Sequence, residues 1–177
     1  GLGARERHEN RLHGPAPQDG VPNVDVEGNV VVIVQGPRQP VTVRRKARIA
    51  GVWANDVSVT FDDAISFYQV MASAELDEWL PFTLRERHQI GVEYLNFSPR
   101  EEISPAEKAD FQTALIRNKQ KLGHYGMLEG RVSVLGGRLF RTEIFFPANV
   151  PTGIYNLEAF LVRDGEMISA QKTPLYV

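Results

Sequence analysis

VVVIVQGPRQPVTVRRKARIAGVWANDVSVTF, residues 30–61, reads as three successive strands separated by compact turns. Residues 30–34 form an unbroken β-branched run, the composition of a strand buried on both faces. Residues 36–40 turn the chain. Pro37 and Pro40 have no N–H to give a ladder, so they are expected to bound strands and not to sit inside them. From Val41 the pattern alternates, with Val41, Val43 and Arg45 on one face and Thr42, Arg44 and Lys46 on the other. After Gly51 a second alternation puts Trp53, Asn55, Val57, Val59 and Phe61 on one side, with Asn55-Asp56 a candidate bulge or tight turn. Three strands in succession predict an antiparallel sheet.

Outward from this stretch, residues 66–72 alternate as a fourth strand. Residues 74–80 predict a helical turn with Leu76, Trp79 and Leu80 inward, ended by Pro81, and residues 83–88 a short helix closed by Gly91. Ser104-Pro105-Ala106-Glu107 is a capping box with Pro at the first helical position, so a helix is expected over residues 105–122, stopped by Gly123. Its apolar stripe is Phe111, Ala114, Leu115 and Leu122, with Lys108, Arg117, Lys119 and Lys121 toward water. Strands return at residues 131–134. Gly136-Gly137 turns, and Phe140, Thr142, Ile144 and Phe146 form the next inward face, ended by Pro147. Tyr155, Leu157, Ala159 and Leu161 follow, and Asp164-Gly165 is the strongest hairpin signal, returning through residues 167–170. About eight strands with one helical insertion, residues 74–123, indicate a mainly β protein with an immunoglobulin-like sandwich. Tyr155, just after the turn at residues 151–154, resembles that fold's tyrosine corner. Residues 1–28, rich in charge, Gly and Pro, read as a flexible arm or long loop, leaving residues 29–177 as a single domain.

A chain of 177 residues is long enough to bury a core without staples. Its formal net charge of −2 argues against whole-domain attraction to nucleic acid. The absence of cysteine rules out disulfides, thiolate catalysis and cysteine-based zinc sites. His8 and His13 flank Glu9, but their spacing suits no helical face and Arg5, Arg7 and Arg11 would repel a cation, so no metal is expected. His88 and His124 adjoin helix ends. Asp62-Asp63 and Glu101-Glu102 are adjacent carboxylate pairs in loops, a weak signal for acid–base work. With no nucleophile, phosphate or dinucleotide motif in context, neither catalysis nor a cofactor is expected.

One constellation stands out. Arg38, Arg44, Arg45 and Lys46 crowd donors into a short stretch, and arginine forks suit carboxylate, sulfate or phosphate groups. Trp53 and Asn55 extend this into a polar and aromatic surface. The competing reading is that these cations pair with the chain's own Asp and Glu and keep a sheet edge soluble. Arg45 shares the face of Val41 and Val43, so pointing inward it would need a buried carboxylate or several carbonyls.

The segments QGPRQPVTVRRKARIAGVWAN, SVTFDDAISFYQVMAS and RVSVLGGRLFRTEIFFPANVPTGIYNLEAFLVRDG resemble the periplasmic portion of the alphaproteobacterial putative transmembrane protein family. The resemblance implies a domain on the periplasmic side of the inner membrane, anchored by a C-terminal helix that would follow Val177. It carries over no catalytic residue. Leu2-Gly3-Ala4 resembles the end of a strand that precedes the loop in that family, so missing upstream strands would leave an open edge for self-association. The expected function is a non-catalytic interaction domain engaging a protein partner at or in the inner membrane. The alternative is a small-anion sensor or carrier using residues 38–46. A deep pocket lined by those side chains would favour the alternative, and a flat edge the protein partner.

Overall fold

The computed structural model describes residues 7–8, 28–135 and 139–177. Strands are numbered in chain order. A five-stranded sheet holds β2 (Asn29–Gln35), β5 (Tyr68–Ala72), β6 (Tyr125–Glu129), β10 (Ile154–Arg163) and β11 (Glu166–Tyr176) in the order β11-β10-β2-β5-β6. Among the described strands only β5 and β6 pair in parallel. β3 (Arg38–Ile49) and β4 (Val52–Ile65) form a separate long hairpin. β7 (Val132–Leu135) pairs with β8 (Leu139–Thr142), and the short β1 (Arg7–His8) pairs with β9 (Ile144–Phe145).

The unbroken run in β2 is explained by its central place. Val31 and Ile33 join one core with Tyr68, Val70, Phe160 and Val162, the base of the hairpin (Val43, Val59, Phe61) and the helices. Val30, Val32 and Val34 join a second core on the opposite face with Phe67, Met71, Tyr155 and Leu157, closed by Val132, Ile144 and Phe146. A strand with apolar neighbours on both faces has no polar position to alternate with. Ile144 and Phe146 are buried as their alternation predicts, and Thr142 with them.

Three helices lie between β5 and β6, as expected: α1 (Leu76–Trp79), α2 (Phe82–His88) and α3 (Pro105–Lys121). α2 is closed by Gln89 in the left-handed conformation and not by Gly91. At α3 the capping box is complete: the Glu107 N–H donates to Ser104 Oγ (3.1 Å) and the Ser104 N–H to Glu107 Oε2 (3.3 Å). Phe111 and Leu115 are buried, but the end of the stripe differs from the reading above. Lys119, one turn past Leu115, is buried instead of facing water, and Leu122 is exposed. Residues 111, 115 and 119 share a face. The chain then turns at Gly123 (φ 74°), so Leu122 falls outside while His124 and Tyr125 enter the core.

Three further expectations change. β2 and β3 do not pair. A Cβ at Gly36 would sit 2.7 Å from Ser66 Oγ and 2.9 Å from the Tyr155 ring, and the chain leaves the sheet through this crowded glycine. Pro40 lies inside β3, at a register shift: Gln39 faces Ala64 and Val41 faces Phe61, so Asp62 and Asp63 together oppose Pro40. The missing donor falls where the ladder is already interrupted. β11 runs from 166 to 176, well past residue 170. The Asp164-Gly165 turn has positive φ at both positions, as a type I′ hairpin requires. Tyr155 Oη donates to the Pro151 carbonyl, four residues upstream. The Gly136-Gly137 turn and most of the N-terminal arm lie outside the described residues.

Candidate functional site

The basic residues belong to the β3–β4 hairpin, whose strands have 12 and 14 residues and so reach about 40 Å. Its base is held by Val43, Val59 and Phe61, each at most 4% exposed. No residue with a described side chain between 44 and 58 belongs to the buried core. The distal half is therefore an arm. Its tip turns at Ala50 (φ 50°) and Gly51 (φ 83°), the paired left-handed geometry of a type I′ turn.

A second register shift decides which residues share a face. Arg45 faces Val57 but Lys46 faces Asn55, so Asp56 is an extra residue in β4. The candidate bulge at Asn55-Asp56 is thus where the sequence places it. Strict alternation put Trp53 and Asn55 with Val57. The slip instead sets Asn55 opposite Lys46 and Trp53 opposite Arg48, moving Trp53 to the face of Arg44 and Lys46. Trp53 and the neighbouring Val52 are each 67% exposed. Val52, not singled out from sequence, pairs with Ile49 at the tip and so lies on the opposite face from Trp53.

The named cations separate into different roles. Arg38 sits at the base, where Nη1 donates to the Asp63 carbonyl at 2.9 Å and braces the first bulge. Arg45 keeps the face of Val43 without a buried carboxylate: its guanidinium lies 5.7 Å from the centre of the Phe111 ring, a cation–π contact with α3. Arg44 and Lys46 are exposed, and no described carboxylate pairs with either. Of Asn55, only the main-chain position is described.

One member of each carboxylate pair has a structural partner. Asp62 forms an ion pair with Arg100, whose hydrogen bond and charge hold the Asp62 carboxyl below its ordinary value. Glu101 accepts from the Thr60 N–H at 2.9 Å, and the Arg100 N–H donates to the Thr60 carbonyl at 2.8 Å. Residues 99–101 thereby cover the outer edge of β4 beside the base. Among the described residues no group of His, Asp and Glu is placed to hold a metal ion.

Fold and site together define a mainly β domain with a helical insertion and a projecting basic hairpin, in which no described helix is long and apolar enough to cross a membrane. The chain belongs to the family described as putative transmembrane protein, whose model matches residues 12–177. No curated protein and no solved structure matches it.

Proposed function

We propose that this chain is a non-catalytic interaction domain on the periplasmic side of the inner membrane, in which the β3–β4 arm engages a protein partner at or in that membrane. The observation that carries this reading is the arm itself. It places Arg44, Lys46 and Trp53 on one exposed face, beyond the buried base, with no carboxylate among the described residues to neutralise the cations. A solvated structural hairpin has no need of a two-thirds exposed tryptophan beside cations that no described carboxylate pairs, whereas aromatic and arginine side chains are the usual anchors of protein interfaces. The bond from Tyr155 to the Pro151 carbonyl supports an immunoglobulin-like sandwich, with the short β strands packed over the second core as its other sheet. The small-anion alternative draws less support, because Arg38 and Arg45 are engaged elsewhere, which leaves Arg44 and Lys46 of the four.

The test is cross-linked affinity capture of the full-length, membrane-anchored parent from its own cells, in the wild-type and Arg44→Glu/Lys46→Glu forms. A protein captured by the first and lost by the second supports the reading. Identical captures would refute it.

A further inference from the structure

We propose that the outer edge of β3 is a docking site for an acidic, extended segment of a partner protein, added as a third strand beside residues 42–46. This deepens the arm reading above and rests on it.

The main-chain geometry follows from Thr60. Its N–H and carbonyl both bond to residues 100–101, so they point away from β3. Thr60 faces Thr42, with their hydroxyls 2.8 Å apart, making this a non-hydrogen-bonded pair of the antiparallel ladder. Thr42 therefore also turns its N–H and carbonyl outward. The ladder runs without a shift from Val41 to Arg45, and the alternation gives Arg44 the same orientation. β3 pairs with β4 alone among the described residues. At Thr42 and Arg44 its other side presents main-chain donors and acceptors with no partner among the described residues, flanked by exposed Thr42, Arg44 and Lys46.

The edge of the main sheet is built differently. The Gly153 and Val177 main chains bond reciprocally, so the outward positions of β11 include Pro174 and Lys172. Pro174 has no N–H to offer, Lys172 is paired with Glu158, and the register breaks near Ile168. These are the usual devices that blunt an edge. β3 has no proline between Val41 and Ile49.

Charge selects the occupant. Arg44 and Lys46 stand two residues apart on one face, about 7 Å along the strand, which is the spacing of alternate side chains in any added strand. Carboxylates at alternate positions would meet both cations across the new pair, where opposite charges are favourable and like charges costly. A second copy of this edge would bring arginine against arginine, so self-addition is disfavoured. A lipid surface would satisfy the charges but leave the main-chain donors unpaired. Trp53, on the same face, supplies an apolar anchor beyond the charged pair.

The experiment titrates the 177-residue chain with a capped peptide of about ten residues alternating glutamate and valine, a length typical of strand addition. Hydrogen exchange of individual amides is followed alongside. Binding should slow exchange at Thr42 and Arg44. Affinity should fall about tenfold or more for a lysine–valine peptide, for a peptide N-methylated along its pairing edge, and for Thr42→Pro, which removes an outward donor while keeping every charge. The N-methylated peptide needs no change to the protein, so the test stands even if Thr42→Pro does not fold. Equal binding of the methylated and unmethylated peptides would overturn strand addition. So would binding of phosphatidylglycerol vesicles with no binding of the peptide. If cellular capture is lost on reversing Arg44 and Lys46 but kept by folded Thr42→Pro, strand addition falls and the arm reading survives. If capture ignores both variants, the two fall together.

Discussion

Tyr68 and Tyr125 stack edge to face inside the first core, their ring centres 6.0 Å apart, and each has its hydroxyl engaged there. Tyr68 Oη donates to the Gln89 carbonyl (2.6 Å) and accepts from the Gly91 N–H (2.8 Å), tying the loop after α2 to the sheet. Tyr125 Oη donates to the Ile65 carbonyl at 2.7 Å. Burial pushes both phenols well above the ordinary tyrosine value of 10.0. The unfolded chain ionises near that value while the folded chain keeps its protons. Their contribution to stability is therefore full below pH 10 and lost as pH rises toward the folded values. Urea melts should show stability falling above that pH by up to about 1.4 kcal/mol per pH unit for each tyrosine. Tyr125→Phe should be less stable at neutral pH by about 1 kcal/mol and should fall less steeply in alkali. Parallel curves for the two proteins would show that the buried phenol is not what titrates.

Among the elements, α3 and β2 were legible for opposite reasons. For α3 the cap, the proline, the apolar spacing and the closing glycine all agree locally, and agreement across levels is what makes a segment readable. Ser104→Ala should cost about 1 kcal/mol, measured as a shift in the denaturation midpoint, because it removes the acceptor for the Glu107 N–H. β2 was readable because burial on both faces leaves a run without polar interruption. Its partners were not, since no local pattern says that Val31 lies between Phe160 and Ala72. Pro40 misled because a bulge is defined by two strands at once, and only the partner strand shows that Asp62 and Asp63 share one opposing residue. Arg44, Lys46 and Trp53 were visible as one basic and aromatic surface, but strict alternation set Trp53 on the other face, and only the slip at Asp56 brings the three together. Deleting Asp56 should restore strict alternation and turn Trp53 to the opposite face of the arm. Partner capture should be lost while the melting temperature stays nearly constant, and unchanged capture would show that the face of Trp53 is irrelevant.

At the scale of the whole molecule, two cores share one central sheet, and the arm stands outside both. The core reaches along the hairpin as far as Val43 and Val59, and Arg45 on Phe111 is the last described contact before the strands leave the body. Stability and recognition should therefore be separable by shortening the hairpin. Because Thr42 and Thr60 are a non-hydrogen-bonded pair, alternation makes Arg45 and Val57 a hydrogen-bonded one, the pair that a two-residue type I′ turn closes. Replacing residues 46–56 with Asn-Gly would keep both cores, the Arg45–Phe111 contact and the residues 99–101 that cover β4, while removing Lys46, Trp53 and the tip. The shortened protein should unfold cooperatively with a stability within about 1 kcal/mol of the parent, since surface changes away from packed features rarely exceed that. It should capture no partner. A large loss of stability on trimming would mean that the arm is part of the folding unit, and binding lost in that protein could no longer be assigned to the missing face.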